Sequence, residues 1–134
     1  MNESTFWHYL RKGMEGRWKA TRVENLCSAG MPDVVYSMRG VHGFIELKYI
    51  PEIPKRPTTP LSIPLRREQK IWIEERGSLA GFVWVFVKVQ HNYYLFDHAT
   101  SLYNAPEPIG LWCNHTVKQW VRFINFESLA KILS

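Results

Sequence analysis

Three charged residues, Asp33, Glu46 and Lys48, stand on two neighbouring apolar segments of the chain. Glu46 and Lys48 are two positions apart, so on a β-strand their side chains leave the same face while Ile45 and Leu47 point into a core. Asp33, at the start of the preceding strand, can face both. Carboxylates supply oxygen ligands to a hard divalent cation, and an ammonium group suits a negatively charged reacting group. The pattern therefore predicts a metal-assisted site for phosphodiester chemistry.

The composition indicates one small, basic domain. A length of 134 residues is enough for a sizeable core. The net charge of +5 favours an anionic partner without identifying it. Cys27 and Cys113 lack the spacing of a zinc motif and do not suggest a disulfide framework. The longest apolar run, residues 82–87, is far shorter than the roughly 20 residues that span a bilayer. Without a secretory signal pattern, we expect a reducing, intracellular setting and no membrane partner.

The hydrophobic periodicity predicts a mixed α/β order of elements. Residues 81–89 are apolar on both faces, which is typical of a buried parallel strand. A helix between two such strands indicates a right-handed parallel crossover. The predicted fold class is an α/β sandwich with a mixed central sheet. The elements expected in chain order are a helix over 3–14, extended chain over 17–24, a turn over 26–30, strands over 33–38 and 44–50 joined by a hairpin through Arg39, Gly40 and Gly43, a helix starting near Pro64 and ending at Gly77, strands over 81–89 and 93–96 separated by a turn at Asn92, and a short helix over 127–133.

Prolines recur nearly every third residue between positions 51 and 64. Proline fixes φ and donates no backbone hydrogen bond, so this stretch cannot be a helix interior or a central strand. We expect an extended, polyproline-like arm. Its role stays open between a passive spacer, a dimer clasp and a wedge that separates strands.

The two motif halves, Pro32-Asp33 and Glu46-Leu47-Lys48, resemble those of the PD-(D/E)xK nuclease superfamily. Within it, the chain is similar to small archaeal-type Holliday junction resolvases and to virus-type replication-repair nuclease modules. The matching order is a helix with a glutamate, a strand, the motif hairpin and a helix with a glutamine, over residues 3 to about 96. The resemblance implies a restriction-endonuclease-like α/β/α sandwich in one nuclease domain.

The resemblance also implies a metal centre. Asp33 and Glu46 would be ligands of Mg²⁺, with Mn²⁺ as a substitute, and the carbonyl of Leu47 would be the third ligand. Lys48 would position or help deprotonate the attacking water and stabilise charge that develops on the phosphate.

Two further catalytic positions follow from the same resemblance. The helix acid of the family maps to Glu3, with Glu15 as the alternative. Gln69 matches the glutamine on the helix after the motif, where it would hold a water or contact the substrate backbone.

The implied activity is metal-dependent endonucleolytic cleavage of DNA, most simply of a four-way junction by a homodimer. Junction resolution needs two matched incisions, which a twofold-symmetric dimer would provide. A basic cluster near the motif is expected to grip DNA phosphates, with ordinary solvated surface charge as the alternative. Its members are Lys55, Arg56, Arg66, Arg67 and Lys70.

Three alternatives remain at this point. The same chemistry suits flap, nicked, single-stranded or sequence-specific duplex DNA. A non-catalytic nucleic-acid-binding module would use the fold and the basic surface alone, although the three core motif residues are intact. A nuclease acting on RNA through a histidine-centred, metal-free site is the third, although the five histidines show no such arrangement.

Overall fold

The computed structural model describes residues 2–23 and 30–134. In these ranges, two short 3₁₀ turns, Ser101–Tyr103 and Ile109–Asn114, accompany three helices and six strands. The helices and strands are α1 (Glu3–Gly13), β1 (Lys19–Arg22), β2 (Val34–Met38), β3 (Val41–Ile50), α2 (Arg67–Ala80), β4 (Val83–Val89), β5 (Asn92–Asp97), β6 (Lys118–Val121) and α3 (Phe126–Leu133).

The six described strands form one sheet in chain order, β1 to β6. β3 and β4 are parallel, and the other neighbouring strands pair antiparallel. The parallel pair is joined through α2, which confirms the predicted crossover and the mixed sheet.

Helices cover both faces of this sheet. On one face, Phe6 and Leu10 of α1 and Leu129 of α3 are buried against strand residues that include Ile45. On the other face, Ile73 of α2 belongs to a second buried cluster with alternate residues of β4 and β5. The architecture is therefore an α/β/α sandwich, because each amphipathic helix buries its apolar side on the sheet.

The hairpin between β2 and β3 is tighter than the predicted one. Arg39 and Gly40 both have positive φ angles, of 49° and 81°, as a two-residue type I′ turn requires. Gly43 consequently lies inside β3, not in the turn. A Cβ at Gly43 would come within 2.3 Å of the Tyr36 ring, so the glycine makes room for that ring.

The predicted bounds of the helix after the arm are wrong by about three residues. α2 starts at Arg67, beyond Pro64, and ends before Gly81, whose φ of 78° is the left-handed conformation of a helix C-cap. Gly77 lies within the helix instead of ending it. A Cβ at Gly77 would lie 2.2 Å from the His98 side chain, so this glycine serves close packing.

The C-terminal third contains a strand that the patterning does not predict. β6 has four residues, of which Trp120 is buried, and such a short pattern carries little signal. The predicted turn at Asn92 is also wrong. The chain turns at Gln90, which has a φ of 54°, and Asn92 begins β5.

The proline-rich arm has no helix or regular strand in the structure, as its prolines predict. It is not extended throughout, since Thr59 N–H donates to the Arg56 carbonyl (3.1 Å) in a turn. Farther along, Leu61 N–H donates to the Glu107 carbonyl (3.0 Å) and Ile63 is buried. The second half of the arm is thus docked on the C-terminal part of the chain.

Some sequence predictions fall outside the described residues. These are the part of the predicted turn over residues 26–29, the last residue of the extended segment, Glu24, and Cys27. Gly30, the end of the predicted turn, is described. In the described part of the chain, no helix is both long and apolar enough to cross a bilayer.

Tyr36 is a polar group at the centre of the core on the α1 and α3 side. Its hydroxyl donates to the Leu133 carbonyl (2.8 Å) and accepts from Trp84 Nε1–H (3.0 Å). Burial raises the pKa of Tyr36 to about 12, so the hydroxyl stays protonated at neutral pH. These two bonds connect the end of α3 to β2 and β4.

We predict that Tyr36→Phe lowers the free energy of unfolding by about 1–3 kcal/mol, because two buried polar groups lose their partner. Urea denaturation with an unchanged m-value would measure this loss. The neighbouring Ser37→Ala removes only an exposed hydrogen bond to His42 and should change stability by less than about 0.5 kcal/mol. Equal effects of the two substitutions would contradict the role given to Tyr36.

Candidate active site

The candidate site lies where β3 continues beyond β2. β2 pairs only with residues 41–45 of β3, whereas β4 pairs along β3 as far as Ile50. The second half of β3 therefore has an edge that β2 does not cover. Continuing the antiparallel register by one residue places Asp33 opposite Glu46 on the face that α2 covers. Such directly opposed side chains are close neighbours.

Pro32 and Asp33 shape the uncovered edge next to Leu47. Leu47 N–H donates to Asp33 Oδ2 (3.0 Å), where a longer β2 would have supplied a backbone acceptor. The register places Pro32 opposite Leu47, and proline has no N–H for the Leu47 carbonyl. The Leu47 carbonyl, on the same edge as its N–H, thus has no ladder donor at position 32. The arrangement is suited to offering that oxygen to a ligand.

Glu46 is a buried carboxylate, with only 1% of its surface exposed. Its Oε2 accepts a hydrogen bond from Gln69 Nε2 (2.9 Å) and lies 3.3 Å from Lys48 Nζ. Its Oε1 is buried and meets no hydrogen-bond donor among the described residues. A buried oxygen without a partner is destabilising, so Oε1 is an atom that a bound cation would satisfy.

The surroundings of Glu46 favour its neutral form. Burial, followed by the neighbouring Asp33 carboxylate, raises the pKa of Glu46 to about 8, against the opposing effect of Lys48. Glu46 therefore holds a proton at neutral pH when no cation is bound, and must release it to act as a ligand.

Gln69 holds Glu46 in place from α2. Its side chain is 3% exposed, and its Oε1 accepts from Arg66 N–H (2.8 Å) at the start of the helix. Both ends of the amide are thus used within the protein, and the structure places Gln69 behind Glu46 as a positioning residue. The predicted contact of Gln69 with a water or with substrate stays a prediction.

Gly30 brings α2 close to the motif, a role that the sequence reasoning missed. Its φ is 83°, and a Cβ there would lie 2.2 Å from the Glu68 carbonyl oxygen. The chain before Asp33 therefore touches the backbone of the first turn of α2, which only glycine permits. The sequence gives one indication of this role, which is that Gly30 lies three residues before Asp33.

Glu3 lies at the same end of the sheet, at the start of α1. Burial raises the pKa of Glu3, Lys48 lowers it and Asp33 raises it, so its carboxyl is within electrostatic reach of the motif residues. Asn2 Oδ1 accepts from Thr5 N–H (2.9 Å), which caps the helix.

Glu15, the alternative helix acid, lies beyond the other end of α1 and is exposed. Because α1 separates it from Glu3 by more than two turns, the structure brings Glu3, and not Glu15, to the motif residues.

The predicted DNA-binding cations lie on two segments near the site. Arg66, Arg67 and Lys70 are at the first turn of α2, the turn that also carries Gln69. Lys55 and Arg56 are exposed, at the turn in the proline-rich arm. In the described ranges, none of the five forms an ion pair with a carboxylate. Their contact with DNA stays a prediction.

The donors at the site fit a hard divalent cation in their chemistry. The described residues hold no group of three or more His, Cys, Asp or Glu side chains arranged to bind a metal. The oxygens that could hold a cation are those of the predicted ligands, the Asp33 and Glu46 carboxylates and the Leu47 carbonyl. Mg²⁺ commonly takes one or two protein carboxylates and keeps several waters, so this small donor set suits it.

Comparisons with known proteins identify the fold. No family model matches the sequence, and no curated protein matches it. Among solved structures, the chain is similar to Hjc of Archaeoglobus fulgidus, a Holliday junction resolvase from an archaeal hyperthermophile. The two share 14% sequence identity with a TM-score of 0.60, over 98% of this chain and 99% of that chain. The restriction-endonuclease-like fold class is thereby confirmed. The resemblance to virus-type replication-repair modules stays a prediction.

We predict that the cation-free protein loses stability as the pH rises from about 4.5 to about 8. The unfolded chain releases the Glu46 proton near its usual pKa of 4.5, whereas the folded protein keeps it until a pKa of about 8. The folded state binds more protons in this interval, so each rise in pH favours unfolding. Glu46→Gln removes this dependence. In EDTA, the difference between its melting temperature and that of wild type should grow by at least about 5 °C from pH 5 to pH 8.5, because even about 1–2 kcal/mol of this effect produces a shift of that size.

A matched control is Glu52→Gln, which removes an exposed carboxylate from the arm and should follow the wild-type pH curve. Parallel pH curves for wild type and Glu46→Gln would show that Glu46 does not carry the buried proton.

Proposed function

We propose that this protein is a metal-dependent, structure-specific endonuclease that hydrolyses phosphodiesters of branched DNA, with a four-way junction as its preferred substrate. The observation that carries the proposal is the convergence of Asp33, Glu46, Lys48 and Gln69 at the uncovered edge of β3. The similarity in fold to a Holliday junction resolvase supports it.

Asp33, Glu46 and the Leu47 carbonyl would hold the cation, Mg²⁺ or Mn²⁺. When bound, the cation supplies Lewis-acid polarisation of the phosphate and lowers the pKa of a coordinated water. Gln69 and Lys48 both engage Oε2 of Glu46, which leaves Oε1 for the cation. The Leu47 N–H holds Asp33 in place in the same way. The site is thus preorganised by hydrogen bonds already present in the protein.

Lys48 and Glu3 would act on the reacting groups themselves. The Lys48 side chain is 14% exposed, so its ammonium group can reach a phosphate at the edge of the site and stabilise its developing charge. Glu3 is half-buried, and burial raises its pKa, which suits a carboxyl that takes a proton from the attacking water. The described contacts of the site involve no histidine, which favours this chemistry over a histidine-centred one.

A homodimer is the assembly that we propose for junction cleavage. A twofold axis would relate two copies of the site and direct them at opposite strands of the junction, which gives two symmetric incisions.

The deciding experiment is the cleavage of matched labelled substrates: a four-way junction, a flap, a nicked duplex, a linear duplex and a single strand. We predict symmetric cuts in the junction with Mg²⁺ or Mn²⁺, and none in EDTA. Asp33→Asn and Lys48→Gln should each lower the rate at least about 100-fold, because each removes a group that stabilises the transition state. Asp97→Asn, at the end of β5, is the matched control and should cleave at the wild-type rate.

Metal-dependent cleavage of another substrate would overturn the four-way junction as the preferred substrate but support the metal-dependent hydrolysis. Tight binding without cleavage would identify a non-catalytic module, and undiminished cleavage in EDTA would overturn the metal mechanism.

A separate prediction concerns Gln69. Gln69→Ala should weaken the apparent Mg²⁺ affinity about 10–100-fold, the usual effect of removing a group that orients a metal ligand. Titrating Mg²⁺ in the cleavage assay would measure this, and high Mg²⁺ should restore most of the rate. Gln119→Ala on β6 is the control. A loss of rate that Mg²⁺ cannot restore would indicate direct contact of Gln69 with substrate instead.

A further inference from the structure

A surface groove of about 640 Å³ runs between α1 and β1, at the edge of the sheet. One wall carries His8, Arg11 and Lys12 of α1, and the other carries Lys19 of β1. Trp18 also lines it and packs against Trp7 and Tyr36, with ring centroids 6.3 and 5.6 Å away. The groove therefore has one side fixed by core aromatic residues, while its cationic side chains extend to solvent.

Among the described residues that line this groove, cations outnumber carboxylates. In the part of the chain that the structure describes, Arg11, Lys12 and Lys19 form no ion pair with a carboxylate, although Glu15 lines the same groove. Arg17 adds a further cation in the adjoining cleft, beside Trp18 and Lys19. Such a concentration of exposed charge attracts a polyanion.

The groove is connected to the candidate active site by both elements that form it. α1 begins at Glu3, close to the motif residues, and leads away toward Arg11. β1 returns to the same end, where Arg22 donates to Ser4 Oγ (3.1 Å). The eight residue-to-residue steps from Glu3 to Arg11 span about 12 Å of helix. A strand of B-DNA rises about 3.4 Å per nucleotide along its axis, so a duplex lying along α1 would place the groove a few nucleotides from the carboxylates.

We propose that the α1–β1 groove binds the phosphodiester backbone of a duplex DNA arm, a few nucleotides from the scissile bond. The position of that bond rests on the proposed function, whereas the groove's affinity for DNA does not. The groove would hold one arm while the carboxylates of the site act on the strand beside it. The basic residues of the arm and of α2 would then contact the DNA separately.

The first test is the salt dependence of junction binding, measured by fluorescence anisotropy in EDTA so that no cleavage occurs. The triple variant Arg11→Gln, Lys12→Gln and Lys19→Gln should lose at least about tenfold in affinity. Its slope of log affinity against log salt should fall by about 2 to 3, since each lost phosphate contact contributes about 0.9. All three side chains are exposed, so the fold should be kept.

The matched control removes three exposed cations outside the groove, through Lys118→Gln and Arg122→Gln at the β6 edge of the sheet and Lys131→Gln on α3, where Lys131 pairs with Glu127. It carries the same change in net charge and should change affinity and slope much less. Equal losses in both variants would show only a general charge effect and would overturn the groove as a site, as would an unchanged slope in the first variant.

The second test locates the contact. The test uses junctions with neutral methylphosphonate linkages three to five nucleotides from the mapped incision. Wild type should bind these junctions more weakly than unmodified ones, whereas the groove variant should show no further loss of affinity. The two losses should not add, because both changes remove the same contact. Neutral linkages nine to eleven nucleotides away should have equal effects on both proteins. Additive losses at the nearer position would overturn the proposed location.

The two proposals fail in distinguishable ways. If the protein binds DNA through the groove but cuts no substrate, the nuclease proposal fails and the groove stands. If wild type and groove variant cut and bind alike, the groove fails and the nuclease stands.

Discussion

Burying the carboxylate of Glu46 beside Asp33 constrains the arrangement of its neighbours. A buried charge is costly unless hydrogen bonds, a counter-charge or a proton compensate it. Gln69 and Lys48 compensate one oxygen, and burial with Asp33 raises the pKa of Glu46 to about 8. The contact from Gln69 requires α2 to begin at this point, and Gly30 permits that approach because it lacks a Cβ. Two neighbouring carboxylates would be unfavourable in an ordinary core, but here they provide oxygen atoms suited to a cation.

The sheet supplies the rigidity that such a site needs. β3 lies between β2 and β4 along its first half, and along its second half, which carries Glu46 and Lys48, it pairs with β4 but not with β2. Clusters on both faces hold β3 and β4, and the parallel crossover brings the first turn of α2 onto Glu46 in the second half of β3. A fold shared at 14% identity is understandable on these terms. Many different sequences can supply the same order of layers and the same pattern of buried apolar residues, so the fold can be kept while most residues differ.

Charge is distributed unevenly around this site. The acidic pair is enclosed, whereas cations lie on α2 and the proline-rich arm on one side and along the α1–β1 groove on the other. A phosphodiester at the carboxylates would otherwise be repelled by them. Positive surfaces on both sides would offset that repulsion, and they suit the proposed substrate with more than one duplex arm.

The sequence alone determined much of the fold and the identity of the motif residues. Its period-two pattern indicated that Glu46 and Lys48 share a face, and the buried run before Gln90 indicated the parallel strand. Interactions between distant residues decided the rest. The bounds of α2, the place of Gly77 against His98 and the contact of Gln69 with Glu46 depend on packing between segments far apart in the chain. Local propensity carries no signal for such contacts, because their energy arises only when the layers meet. The choice of Glu3 over Glu15 is of the same kind, since only the direction of α1 across the sheet decides which acid reaches Asp33 and Lys48.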